Sequence, residues 1–257
     1  MGIVNLSPDS FTGDGLPDAE AALARARQLV EDGADIVDVG GESTRPGAVP
    51  VDAETELRRL MPAVRLLVRE LGVPVSIDTY KAAVAYEALE AGVAMVNDVW
   101  GFRADPDLTG VVAQSGVPVV LMHNQRDARY RNLVSEVMAS LRGSIEIALA
   151  AGVKPSNIVV DPGIGFGKTQ EQNLEMLGRL DELKALGQPI LLGTSRKFGI
   201  GRSLNLPPEQ RLQFTATTLA LGIAKGADIV RVHDVREMAR VVRFADAIVR
   251  RIWRPST

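Results

Sequence analysis

Eight short apolar runs, each ending in polar residues or glycine, recur along the chain at 2–6, 35–41, 73–79, 95–101, 117–123, 158–164, 189–195 and 229–234. Several do not alternate, as in Val119-Val120-Leu121-Met122, Ile158-Val159-Val160 and Ile190-Leu191-Leu192. An unbroken apolar run of this length predicts a strand covered on both faces, as in a parallel sheet. The intervals carry apolar residues at three- and four-residue spacing. Leu57, Leu60, Met61, Val64, Leu67, Val68 and Leu71 form one such stripe, and Met238, Val241, Val242, Ala245, Ile248, Val249 and Ile252 another. That spacing predicts amphipathic helices. Gly33, Gly92, Gly152, Gly187 and Gly226 stand where these helices would stop before the next strand. Eight βα units without a linker or a break in composition fit one (β/α)8 TIM barrel over residues 1–257 better than an open doubly wound sheet.

A barrel of this kind places its chemistry at the C-terminal ends of the strands. Those positions hold Asn5; Asp38 and Glu42; Asp78; Asn97 and Asp98; His123; Asp161; Ser195, Arg196 and Lys197; and Arg231 and His233. One Asp or Asn at a strand end is ordinarily a cap or loop anchor, but all eight strands contribute here. Asp78, Asn97 and Asp161 are rich in acceptors and suit the N–H edge of a nitrogen heterocycle such as a base or a pterin. Arg231 and His233, two residues apart on one predicted strand, face the same side. With Arg45 after the Gly40-Gly41-Glu42-Ser43-Thr44 turn they suggest a phosphate or pyrophosphate site. The plainer alternatives are a salt bridge lining the barrel for Arg231 and a satisfied core residue for His123.

Composition narrows the chemistry. In 257 residues there are 29 Lys and Arg against 32 Asp and Glu, a formal charge of −3, which argues against nucleic acid or an anionic membrane as the main partner. With no Cys, disulfides, thiolate metal sites and cysteine nucleophiles are excluded. No stretch reads as a signal peptide, and the uncharged stretch 108–125 is interrupted by Gly110, Gln114, Gly116, Pro118 and His123, so a cytoplasmic protein is expected. Gly167-Lys168-Thr169 ends like a phosphate-binding P-loop, but the first glycine that motif requires falls at Pro162. Gly163-Ile164-Gly165-Phe166-Gly167 lacks the dinucleotide-binding spacing, and two His on different strands give little support for a tight transition-metal site. The Arg-rich last helix reads as a solvated or subunit-contacting face whose apolar stripe is complete without its arginines.

Several segments together resemble the dihydropteroate synthase family, across almost the whole chain. They are Met1 to Phe11 (MGIVNLSPDSF), Gly40 to Gly47 (GGESTRPG), Ser76 to Thr79, Asn97 to Val99, Leu121 to His123, Asp161 to Phe166, Ser195 to Lys197 and Arg231 to Val235. The resemblance implies a transferase of folate biosynthesis. It would condense 6-hydroxymethyl-7,8-dihydropterin pyrophosphate with p-aminobenzoate to give 7,8-dihydropteroate and pyrophosphate. It further implies that Asp78, Asn97, Asp161 and Lys197 hold the pterin, with Met122 and Gly193 lining its pocket and with Asp78, Asp161 and Lys197 acting in the reaction. Asn5 would bind Mg²⁺ on the pyrophosphate, and Thr44, Arg45, Arg231 and His233 would complete the anion site. Phe11, Pro46, Phe166, Lys197 and Phe198 would form the aminobenzoate site. A homodimer through barrel helices is the implied assembly.

The chain departs from the family pattern at Ser7, where Thr is usual, and at Phe198-Gly199, where a Ser and a larger residue are usual. Phe198 would crowd the rim of the aminobenzoate site and bears on sulfonamide sensitivity. The rival function is a pterin-binding methyltransferase barrel serving a corrinoid partner, which would keep Asp78, Asn97 and Asp161 but would not need the Ser-Arg-Lys and Arg-x-His groups.

Overall fold

A computed structural model describes residues 1–6, 15–43, 49–197 and 211–251. Eight parallel strands run in chain order: β1 (Gly2–Asn5), β2 (Val37–Gly40), β3 (Val75–Asp78), β4 (Met95–Asp98), β5 (Val119–Met122), β6 (Ile158–Asp161), β7 (Ile190–Leu192) and β8 (Ala227–Val230). The ring closes where Val232 bridges Gly2 in parallel. Val232 N–H donates to Met1 O at 3.0 Å and Ile3 N–H to Val232 O at 3.1 Å. The chain is a TIM barrel, as its βα periodicity predicts.

Among the described residues eight α-helices cover the outside: α1 (Ala19–Glu31), α2 (Ala53–Glu70), α3 (Ala82–Glu90), α4 (Leu108–Ser115), α5 (Leu133–Ala150), α6 (Gln170–Gly178), α7 (Leu212–Ala224) and α8 (Val235–Val249). Their starts are written in the sequence. Asp18 and Asp52 accept from Ala21 N–H at 2.8 Å and Thr55 N–H at 2.7 Å, and Thr169 with Gln172 forms a capping box on α6. No described helix is long and apolar enough to cross a membrane.

The unbroken apolar strands serve two cores. Val119 and Leu121, Ile158 and Val160, and Ile190 and Leu192 pack in the large core shared with the helices. The residues between them, Val120, Val159 and Leu191, join Met1 and Met95 in a separate cluster inside the barrel, with Ile36 and Ile229 against it. Successive strand side chains point to opposite faces, so the residue two further along each strand is the next inward one. Those residues are Asp38, Asn97, Met122, Asp161, Gly193 and Arg231. An apolar plug thus fills the bottom of the barrel, and the layer directly above it carries Asp38, Asn97, Asp161 and Arg231 among Ile3, Met122 and Gly193.

Two expectations need correction. β8 ends at Val230, four residues before the predicted end, because Gly226, left-handed at φ 105°, lets the strand start at Ala227 directly after α7. Arg231 and His233 therefore lie beyond the strand, and their side chains go to different partners. The apolar stripe of α8 is only partly covered, with Met238 and Ala245 buried but Ile248 65% and Val249 41% exposed, and Ile252 lies outside the described residues.

Candidate active site

The polar layer is a connected network. Asp38, fully buried on β2, accepts at one oxygen from Arg231 Nε at 2.6 Å and from Asn97 Nδ2 at 3.1 Å. Arg231 spans to β3 as well, donating through a terminal nitrogen to Asp78 at 2.7 Å. Asp38 Oδ1, Ser76 Oγ and Asp78 Oδ1 are buried without a partner. Buried polar atoms are ordinarily paired, since an unpaired one costs about 1–3 kcal/mol. Three together on the adjacent strands β2 and β3 mark a surface made for a polar ligand.

Gly193 is the hub on the opposite wall. A Cβ there would stand 3.7 Å from Lys197 Nζ, 4.0 Å from an Asp161 oxygen and 4.0 Å from Arg231 Cβ. The missing side chain keeps the floor open between these charges. Asp161 Oδ1 accepts from Gly163 N–H at 2.7 Å, which fixes the carboxylate. Lys197 donates to Ile164 O at 3.2 Å and lies 4.5 Å from the centre of the Phe166 ring. Met122 is buried at the end of β5. Asn5 ends β1 at the mouth, in register with Gly40, whose own missing side chain leaves Asp78 uncovered.

Burial dominates the electrostatics. It pushes the Asp78 carboxyl up to about 7, with Asp38 adding to the rise and Arg231 opposing it. Asp161 is raised by burial too, against the pull of Lys197. Burial brings Lys197 down to about 8, while Asp161 holds its proton on. The floor therefore presents one carboxyl, Asp78, and one ammonium, Lys197, that change charge near neutrality, a common property of sites that bind and react.

The Ser195-Arg196-Lys197 and Arg231-Val232-His233-Asp234 segments interlock. Ser195 Oγ accepts from His233 N–H at 3.1 Å and lies 2.9 Å from His233 Nδ1, and Arg196 pairs with Asp234 at 2.5 and 3.0 Å. Only Lys197 of the first segment turns to the floor. Arg231 pairs with Asp38 and Asp78 within the polar layer, and His123 is a buried residue bonded to Lys168. Sequence reasoning passed over three contributors: Asp38 as the anchor of Arg231 and Asn97, Asp234 as the partner of Arg196, and Lys81. Lys81 joins the carboxylates of Glu42 and Glu56, and Glu42 also accepts from Tyr80 at 2.9 Å and from Val51 N–H at 3.3 Å. Opposite charges on separate loops leave no local spacing signal, so nothing in the sequence pairs them. Phe11, Thr44, Arg45, Pro46 and Phe198 lie outside the described residues.

Residues 1–233 match the family model described as pterin binding enzyme. The chain is 49% identical over 250 residues to a dihydropteroate synthase of Bacillus subtilis, covering 97% of this chain and 88% of the relative. The chain belongs to the dihydropteroate synthase family. Members of this family are transferases of folate biosynthesis, and so is this chain. A solved synthase from Clostridium difficile, crystallised in the presence of pteroic acid, superimposes with a TM-score of 0.93 at 51% identity, covering 97% of this chain and 96% of that one. One from Yersinia pestis, in complex with a sulfonamide drug, gives 0.92 at 37% identity, with 96% and 93% covered. A Xanthomonas albilineans synthase with 4-aminobenzoic acid gives 0.90 at 42%, with 96% and 92% covered.

Proposed function

We propose that this synthase joins 6-hydroxymethyl-7,8-dihydropterin pyrophosphate to p-aminobenzoate on the polar floor of the barrel. The observation that carries the reading is the convergence of Asp78, Asn97, Asp161 and Lys197 above an apolar plug, with Asp78 Oδ1 buried and unpaired. A pterin offers its N–H edge to carboxylates and its ring acceptors to the amide and the ammonium, so paired hydrogen bonds fix its orientation. Met122 and Gly193 give it a flat, close-fitting surround.

Bond breaking follows from charge. When the methylene C–O bond breaks, the electron pair leaves with pyrophosphate and positive charge spreads from the methylene into the pterin ring. Asp161 and Asp78 stabilise that charge electrostatically while the arylamine nitrogen attacks the methylene carbon and then loses a proton. No enzyme nucleophile is needed. Arg231 and His233, with Thr44 and Arg45, are the anion site of this reading. Phe11, Pro46, Phe166, Lys197 and Phe198 are its aminobenzoate site.

The donor chemistry at Asn5 fits Mg²⁺ that arrives with substrate. One amide oxygen suits a hard cation that keeps several waters and is held mainly by phosphates. No described group of three or more His, Asp or Glu is placed to hold a metal by itself. When bound, Mg²⁺ supplies charge neutralisation on the departing pyrophosphate. The reading also takes the chain as a cytoplasmic homodimer. In its favour, Leu221 of α7 and Phe244 and Ile248 of α8 stand 52%, 64% and 65% exposed on two helices that pack together, the kind of apolar patch that partner subunits cover.

Two ligands test the site. Arg231→Ala should weaken the pterin pyrophosphate more than the unphosphorylated pterin alcohol in calorimetric titration, because a guanidinium grips phosphate oxygens as a fork. Equal loss for both would assign Arg231 to the polar layer alone.

A further inference from the structure

The segment 163–167 lies between β6 and α6, outside strand and helix, and apart from Phe166 N–H to Gly163 O the partners of its backbone are side chains. Gly165 N–H donates to Asn173 Oδ1 at 2.7 Å. Ile164 O accepts from Lys197 at 3.2 Å, and Gly167 O from the Tyr130 hydroxyl at 2.9 Å. Two further carbonyls, Gly163 O and Phe166 O, accept from one side chain, Lys168, at 3.0 and 3.2 Å, and Gly163 O also accepts from Phe166 N–H at 3.1 Å. Lys168 Nζ has a third partner, Nδ1 of the buried His123, at 3.0 Å. That contact makes Nδ1 the acceptor and leaves the ring proton on Nε2.

This lysine is expensive to keep. It lies directly before the N-terminus of α6, where the helix dipole disfavours a cation. Burial and the nearby Lys197 charge both pull its proton affinity down, to about 7, with Asp161 opposing them. His123 is held neutral, at about 3, by burial and by the Lys168 charge. The segment has little room to relax: a Cβ at Gly163 would stand 1.9 Å from His123 O, and one at Gly167 2.3 Å from Gln125 O. Its two ends are thus clamped on the β5 loop while Lys168 gathers it from beneath.

We infer that Lys168 is a positioning residue of the synthase, acting through segment 163–167 to hold the Phe166 ring and the Ile164 carbonyl against Lys197. The inference deepens the proposed function and rests on its reading of Phe166 as part of the aminobenzoate site. Lys168 itself touches no substrate. It replaces the role that the Gly-Lys-Thr sequence suggests, since its ammonium is spent on backbone carbonyls and an imidazole, not on phosphate. A shift of the Phe166 ring by a fraction of an ångström would be felt first at the arylamine, because Asp78 and Asn97 orient the pterin ring from β3 and β4.

The test is a double-variant cycle on the full chain with Lys168→Met, Phe166→Ala and both together, measuring KM for each substrate, kcat and thermal melting. Lys168→Met should raise the aminobenzoate KM by about tenfold and leave the pterin pyrophosphate KM within about twofold, and the double variant should be little worse than Phe166→Ala. Lys168→Gln, which keeps one donor, should shift KM in the same direction by less, and it serves where the Met variant folds poorly. Equal rises in both KM values, additive effects in the double variant, or a lowered melting temperature with unchanged KM would overturn the inference. A normal aminobenzoate KM in Phe166→Ala would sink the reading beneath it as well, whereas a normal Lys168→Met beside an impaired Phe166→Ala would overturn the inference alone.

Discussion

Replacing Asp38 by Asn removes a charge from the centre of the polar layer while keeping its shape. Asp38 is fully buried and one of its oxygens accepts from both Arg231 Nε at 2.6 Å and Asn97 Nδ2 at 3.1 Å, so an amide oxygen in that place keeps both hydrogen bonds but loses the charge, and its NH2 falls where Oδ1 has no partner. Removing one partner of a buried ion pair costs about 3–5 kcal/mol, because the other charge stays buried without compensation. Two features reduce that here. Arg231 keeps Asp78 at 2.7 Å, and loss of the Asp38 charge relieves its repulsion of Asp78. The expected cost is therefore about 2–3 kcal/mol. For a chain of this size each kcal/mol moves the melting temperature by about 2–4 °C, so a fall of roughly 4–12 °C is predicted by circular dichroism. Arg231→Met alone should destabilise as well, by leaving two carboxylates buried together, and the double variant should be less unstable than the sum of the two. A melting temperature within about 1 °C of wild type for Asp38→Asn, or additive losses in the cycle, would refute the network.

Asp161→Ala leaves polar pterin atoms unpaired at about 1–3 kcal/mol each, so pterin affinity should drop by roughly 5- to 150-fold in titration, with turnover falling further. Unchanged affinity in a folded variant would remove Asp161 from the floor. The pH dependence of stability follows from Asp78, whose carboxyl rises from 3.8 unfolded to about 7 folded. The folded state then holds more protons between those values, so this group's contribution is present at low pH and is lost as pH rises through about 7. Melting temperatures at pH 4.5 and 7.5 should converge in Asp78→Asn relative to wild type, and an equal difference in both proteins would contradict the shift. Ile248→Glu should shift the chain toward monomer in sedimentation if the exposed face of α7 and α8 is the subunit contact, and an unchanged sedimentation coefficient would place that contact elsewhere.

The barrel was legible in the sequence because its signals are local. A run such as Ile158-Val159-Val160 states that both faces of a strand are covered, and the polar residue two beyond an inward apolar one, as in Val159 and Asp161, states where the plug ends and the floor begins. Asn97 and Asp161 could be picked out on that basis and Asp78 as a strand-end carboxylate, whereas the role of Lys197 came only with the family resemblance. The pairings between loops could not. Asp38 with Arg231 is separated by 193 residues and Lys168 with His123 by 45, and only the closed ring brings them together. The last strand was placed too late because Arg231 to Asp234 looks like a strand end, although only Arg231 N–H to Leu192 O and the Val232 bridge to β1 continue the ladder there. The stripe on α8 looked complete because spacing reports which residues share a face and says nothing of whether that face meets the barrel.

The most direct measurement supplies the purified chain with 6-hydroxymethyl-7,8-dihydropterin pyrophosphate, p-aminobenzoate and Mg²⁺, and follows both products by chromatography and a coupled pyrophosphate assay. The account predicts 7,8-dihydropteroate and pyrophosphate in equal amounts, lost together in Asp161→Ala. A folded chain that binds the pterin yet releases no pyrophosphate in the presence of the arylamine would contradict it.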